Sequence, residues 1–216
     1  MPRSQRVIFV AAVILAVAYA WLRGAFVLAD STRTSAAADV AREGSDIATF
    51  AAGCFWSAQL AFEDVRGVKS VVAGYTGGTV ANPTYDQVSA GATGHAEAVQ
   101  IRFDPQRVTY AALLDRFWHE VDLFEGHRQF CDVGDDYRPA VFVHGAAQRQ
   151  AAESSRAHWA QYFGRPVQVE VSDAGAFYPA EDYHQHYATK HPVQYEFYRW
   201  NCGRDARLKE IWKSTN

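Results

Sequence analysis

Cysteine occurs at three positions of this 216-residue chain, Cys54, Cys131 and Cys202, and one of them stands where a thiol becomes a nucleophile. The segment Gly53-Cys54-Phe55-Trp56-Ser57-Ala58-Gln59 follows the apolar run Ile47-Ala48-Thr49-Phe50-Ala51-Ala52. A strand that ends, a glycine that turns the chain and a helix opened by the cysteine are expected. The unpaired N–H groups and positive end of such a helix favour the thiolate, which is the reactive form. Phe55 and Trp56 can wall a small apolar pocket beside it. An odd number of cysteines permits at most one pair within the chain and leaves at least one thiol over, which suits thiol chemistry better than stapling.

A reactive thiol needs an acid or oxyanion partner and a fate for its product. Gly94-His95-Ala96-Glu97-Ala98 sets a carboxyl at the start of a strand. Beside aromatic walls such a carboxyl can hold its proton near neutral pH and protonate a departing oxygen. On spacing alone, Glu97 fits an exposed strand-end glutamate as well. Asn82-Pro83-Thr84-Tyr85 places one phenol in a loop, and Cys131-Asp132-Val133-Gly134-Asp135-Asp136-Tyr137-Arg138 places a thiol, carboxylates and a second phenol in another. Tyrosine hydroxyls in loops either donate to a polarised oxygen or serve packing. His184, His186 and His191 do not read as a metal site: residues two apart on a helix face different sides, and the isolated cysteines form no CxxC pair. A cysteine hydrolase built on Cys54 and His95 would lack an orienting pair.

The elements that must position these groups alternate in type. Strands are expected at Ile47 to Gly53, Val68 to Tyr75, Ala96 to Phe103, Ala140 to Val143 and Pro166 to Val171. Helices are expected from Cys54 to Val65, from Thr109 through Val121, from Ala146 to Phe163, from Glu181 to about His191 and from Asp205 to Trp212. The stretches 79–93 and 122–138 read as long loops, and Tyr195 to Trp200 as extended or irregular. Strand–helix–strand units of this length predict an α+β fold with helices packed on a mixed sheet.

The formal net charge of −3 gives no global field for nucleic acid. Arg3 and Arg6 precede the uncharged run Val7 to Leu22, which reads as the start of a secretory signal. The run is short of the ~20 residues that usually span a bilayer, though it could serve as an uncleaved anchor. Residues 1–29 are therefore read as a signal peptide or membrane anchor, 30–46 as a flexible linker and 47–216 as the folded domain. Either reading of the N-terminus places the domain outside the cytoplasm, in the periplasm or secreted. Methionine occurs only as Met1, so a mature chain would offer no thioether to oxidise.

Six segments in order carry a resemblance: Gly53-Cys54-Phe55-Trp56, Gly74-Tyr75-Thr76-Gly77-Gly78, Asn82-Pro83-Thr84-Tyr85, Thr93-Gly94-His95-Ala96-Glu97, Gly134 with Tyr137-Arg138, and Ala180-Glu181-Asp182-Tyr183-His184-Gln185. The chain resembles the peptide methionine sulfoxide reductases of the A type, over about Ile47 to Tyr195. The resemblance implies a two-layer α+β sandwich with a ferredoxin-like βαβ core and mixed sheet. It implies reduction of methionine S-sulfoxide, free or in oxidised proteins. Cys54 would attack sulfur, Glu97 would protonate the oxygen, Tyr85 and Tyr137 would hydrogen-bond it, Asp132 would help hold the site, and Phe55 and Trp56 would take the S-methyl group. A second cysteine would close a disulfide on the resulting sulfenic acid, and a thioredoxin-like protein would reduce it, with no bound cofactor. Four departures stand out: Gln59 where many relatives carry glutamate, read as a helix-surface change; Phe130-Cys131 beside Asp132; Asn201-Cys202-Gly203 in place of a glycine-rich cysteine tail; and the signal-like start. Cys202 and Cys131 both remain candidates for the resolving thiol. The altered second loop also leaves open a catalytically idle, membrane-tethered module that binds oxidised or apolar peptides.

Overall fold

The computed structural model describes residues 46–213. The signal or anchor at 1–29 and nearly all of the linker at 30–46 lie outside the described residues. In chain order the elements are β1 (Ile47–Ala51), α1 (Phe55–Glu63), β2 (Val68–Thr76), α2 (Tyr85–Ser89), β3 (Ala96–Phe103), α3 (Tyr110–Trp118), β4 (Arg128–Gln129), β5 (Asp132–Val133) and a 3-10 turn (Asp135–Tyr137). They continue with β6 (Ala140–Val143), α4 (Ala146–Phe163), β7 (Glu170–Asp173), β8 (Tyr178–Pro179), α5 (Tyr187–Lys190), α6 (Pro192–Asn201) and α7 (Arg204–Lys213).

Six strands form one sheet in the order β7-β6-β1-β3-β2-β8, antiparallel except for the parallel pair β6 and β7. The inner four, β6-β1-β3-β2, with α1 between β1 and β2 and α3 between β3 and β6, are the split βαβ arrangement of a ferredoxin-like core. The mixed α+β sheet expected from the sequence is thus present. Alternation decides the faces. Phe50, Val71, Ala73, Tyr75, Val99, Ile101 and Val141 meet Phe55, Ala58, Phe62, Leu113 and Phe117 of the helices in the main core. The opposite face carries small residues, Ala51, Ala96, Ala98 and Ala140, with Phe142, against Phe177. Glu97 shares parity with Val99 and Ile101, so the pleat turns it towards the helices and buries it to 2% exposure.

Several local expectations change. Cys54 precedes α1 as its N-cap instead of opening the helix as its first residue. The long loop at 79–93 contains α2, held by a capping box in which Thr84 and Gln87 bond each other's backbone N–H groups. The segment 122–138 folds into the β4–β5 ribbon and the 3-10 turn. The strand expected from Pro166 forms only at Glu170, and within Glu181 to His191 only α5 is helical. Tyr195 to Trp200 is not extended: it lies inside α6, which starts on Pro192 at its first turn, where a missing N–H costs nothing.

Gln59 is the clearest correction. It is 1% exposed, not a surface residue. Its Nε2 donates to the Val71 carbonyl at 2.9 Å and to Gln185 Oε1 at 3.3 Å, while its Oε1 accepts from the His186 N–H at 2.7 Å. Period alone could not show this, because the covering segment comes from more than a hundred residues away. Gln185 extends the network by bonding both the N–H and the carbonyl of Ala73. Gln59 therefore ties α1 to β2 and to the segment before α5. Gln59→Ala leaves the buried Val71 carbonyl and the part-buried His186 N–H without this partner and is expected to cost roughly 1–3 kcal/mol. Urea unfolding measures it, and a change within about 0.5 kcal/mol would show the network carries little.

Candidate active site

Cys54, Phe55, Trp56, Tyr85, Glu97, Asp132 and Tyr137 line one pocket of about 210 Å³, together with Tyr198. All five residues expected to carry chemistry and both expected pocket walls are thus brought together from five separate elements and turns. Gly53 makes the turn into α1 with φ +75°, and a Cβ there would lie 2.6 Å from Gln129 Cβ. Only glycine meets both demands. Buried Arg204 at the start of α7 braces the same turn, donating to the carbonyls of Ala52 and Glu120.

Glu97 Oε2 accepts the Phe55 N–H at 2.9 Å, so the carboxyl sits at the open end of α1, one residue from the thiol. Burial pushes the Glu97 carboxyl up to about 8, against the pull of that N–H, and the Asp136 and Asp132 carboxylates add to the rise. Glu97 is a neutral acid at neutral pH. The solvated strand-end alternative falls away because β3 is covered here by α1.

The thiol departs from expectation. Burial, then the Glu97 carboxylate, push Cys54 well above the ordinary thiol value; the Tyr198 hydroxyl pulls it down, Asp132 raises it, and the Trp56 N–H lowers it. The helix end is real, but in a site only 7% exposed desolvation outweighs it. Cys54 rests as a neutral thiol and is the one free cysteine.

The two loop phenols face the acid. Tyr137 hydrogen-bonds the Tyr85 hydroxyl, and burial followed by the Glu97 charge raises both phenols, which stay protonated donors. Tyr85 is fixed through its N–H, which donates to Glu181 Oε1 at 2.9 Å, while Glu181 Oε2 accepts from Tyr75 at 2.9 Å. Trp56 is fixed by its Nε1–H, which donates to His184 Nδ1 at 3.1 Å, and by stacking on Tyr187 at 3.7 Å. Burial lowers His184, which keeps the imidazole neutral and able to accept. His95 lies outside the pocket and pins the turn before it, accepting from the Gly78 N–H and bonding the Val80 carbonyl.

Tyr198 is the residue that sequence reading missed. Its hydroxyl donates to Asp132 Oδ2 at 2.5 Å and hydrogen-bonds Cys54. Read as helix, Tyr195, Tyr198 and Cys202 share one face at spacings of three and four, and that signal was available behind Pro192. Cys131 and Cys202 are joined in a disulfide, so neither is a free thiol in this structure. The altered loop that carries Cys131 still delivers Asp132 and Tyr137 to the pocket.

The peptide methionine sulfoxide reductase family model matches residues 46–216. A relative from Bacillus licheniformis, peptide methionine sulfoxide reductase MsrA, is 44% identical over 79% of this chain and 95% of its own. The protein of that name from Bacillus subtilis is 43% identical over 79% of this chain and 97% of its own. Among solved structures, methionine sulfoxide reductase A of Corynebacterium diphtheriae superposes with TM-score 0.63 at 31% identity, covering 69% of this chain and 76% of that one. Reduced Mxr1 from Saccharomyces cerevisiae gives TM-score 0.66 at 26% identity, covering 70% and 88%.

With the disulfide intact, Cys54 is the only thiol that iodoacetamide can modify. Alkylation at a pH of about 8 is expected to be slow in the native protein and faster in Glu97→Gln, because removing the neighbouring carboxylate lowers the thiol's pKa. Equal rates would show that the two groups do not couple.

Proposed function

The chain belongs to the peptide methionine sulfoxide reductase family and is a peptide-methionine (S)-S-oxide reductase, and from that premise we propose how its pocket works. The observation that carries the reading is a neutral acid one residue from a buried thiol, both opening on one aromatic pocket. Phe55 and Trp56 receive the S-methyl group. Tyr85 and Tyr137 donate to the sulfoxide oxygen, where negative charge concentrates as sulfur is attacked. Glu97 gives that oxygen its proton and takes back the one that Cys54 releases. Cys54 sulfur becomes a sulfenic acid as the sulfoxide becomes a thioether, so the oxygen count balances and no outside proton is consumed.

The disulfide between the two remaining cysteines supports an order for recycling. Cys202 is half-buried, with its sulfur 4.0 Å from the Asp132 oxygen that holds Tyr198 beside Cys54. Cys131 is exposed and its sulfur lies 3.6 Å from the other oxygen. Cys202 condenses with the sulfenic acid and water leaves. Cys131 then attacks Cys202, frees Cys54 and closes the pair seen in the structure. An external thioredoxin-like dithiol attacks the exposed sulfur and restores both thiols. The substrates are oxidised proteins or free methionine sulfoxide. The signal-like N-terminus supports work outside the cytoplasm, secreted, periplasmic or anchored to the membrane.

Single turnover of the reduced enzyme with one equivalent of a methionine S-sulfoxide peptide tests each step. Cys54→Ser is expected to release no methionine, and Glu97→Gln to slow release about 100-fold. Cys202→Ser should yield methionine and a Cys54 sulfenic acid that dimedone traps. Cys131→Ser should stop at a Cys54–Cys202 disulfide in peptide mass mapping. A Cys54–Cys131 disulfide formed at the native rate in Cys202→Ser would reverse the order of the thiols.

A further inference from the structure

Asp132 lines the pocket and also lies beside both sulfurs of the disulfide. It sits between two sulfurs and a phenol: Oδ1 is 3.6 Å from Cys131 Sγ, Oδ2 is 4.0 Å from Cys202 Sγ, and Oδ2 accepts the Tyr198 hydroxyl at 2.5 Å. Tyr198 in turn hydrogen-bonds Cys54. Resting on the order of thiols given above, we propose that Asp132 is the base of the resolving step, taking the Cys202 thiol proton and returning a proton through Tyr198 to the oxygen that leaves Cys54.

The step balances. Cys202 passes its proton to Oδ2, and the thiolate attacks Cys54 sulfur. The new S–S bond forms as the S–O bond breaks, and hydroxide leaves as water with the proton that Tyr198 delivers and Asp132 replaces. The sulfenic sulfur is reduced as Cys202 is oxidised, so no outside oxidant or reductant enters. The Cys131 N–H, which donates to Cys202 Sγ at 3.1 Å in the disulfide, is placed to steady a thiolate on that sulfur. When Cys131 then attacks Cys202, its own proton has Oδ1 as acceptor.

The groups around Asp132 fit a base. Tyr198 comes from α6, Arg204 from α7, Cys54 from the turn before α1, Glu97 from β3, and Asp136 and Tyr137 from the 3-10 turn. Burial lifts the Asp132 carboxyl above the ordinary aspartate range, against the Tyr198 hydrogen bond and Arg204. The result is a carboxyl group more basic than a solvated aspartate.

The test follows one turnover of the reduced enzyme by two readouts, methionine released and sulfenic acid converted to disulfide. In Asp132→Asn the second rate constant is expected to fall about 100-fold at neutral pH, and more than the first. The deficit should close as pH rises past the ordinary thiol value of about 8.5, where Cys202 ionises unaided. Asp132→Glu, which keeps a carboxylate, should recover much of the rate. A deficit that persists at every pH, or one shared equally by both steps, would reduce Asp132 to a structural role and overturn the proposal. Should Asp132→Asn fail to fold, the native enzyme decides: its disulfide step should lose rate only as pH falls into the carboxyl range, and a rate that follows thiol ionisation alone overturns the proposal. Failure of native enzyme to release methionine would instead overturn the functional reading on which this rests.

Discussion

The hydrogen bond from the Phe55 N–H to Glu97 Oε2 is the constraint on which the site depends. It fastens the open end of α1 to the middle of the sheet and consumes a helix-terminal donor that would otherwise need a partner. It also fixes the acid against the thiol. Had Glu97 met water, it would ionise like any glutamate and could not donate a proton at neutral pH. Burial keeps it protonated, and a single N–H orients it without fully stabilising its charge. The same burial holds Cys54 as a thiol, so carboxyl and thiol are both neutral inside an aromatic enclosure.

The second half of the site is built from loops and the C-terminal helices. Asp132 on β5 and Tyr198 on α6 are joined by the Tyr198 hydrogen bond, and the disulfide between Cys131 and Cys202 ties the same two segments. This half carries the disulfide, while the sheet and α1 carry the Glu97 carboxyl and the Cys54 thiol. The division has a physical logic. Attack on a sulfoxide needs a fixed acid, which a sheet supplies. Thiol exchange needs sulfurs that approach one another in turn, which suits a short ribbon and a helix end.

Much of this was legible in the residues. The period-two pattern of Ala96 to Phe103 placed β3, but on spacing alone Glu97 read as a solvated strand-end glutamate, although its parity with Val99 and Ile101 pointed to the core face. Phe55 and Trp56 were legible from their place beside Cys54, whereas the roles of Tyr85, Tyr137 and Asp132 came from the resemblance. Two features were hidden because the groups that decide them are distant in sequence. Gln59 looked exposed until Val71, Gln185 and His186 closed over it. Cys54 looked like a thiolate because a helix end is local and visible, whereas the desolvation that opposes it comes from the whole fold. Tyr198 was lost when an aromatic run was read as irregular, although Pro192 marked a helix start. The pairing of Cys131 with Cys202 could not be read from spacing, since three cysteines allow three pairings.

Everything proposed for this pocket depends on Glu97 being a neutral acid in the resting enzyme. Difference infrared titration of the native protein against Glu97→Gln isolates the carboxyl stretch of this one residue. A protonated carboxyl that persists at neutral pH and is lost with a midpoint of about 8 is the result the structure predicts. A midpoint near the ordinary glutamate value of about 4.3 would contradict it and leave the sulfoxide oxygen without its proton donor.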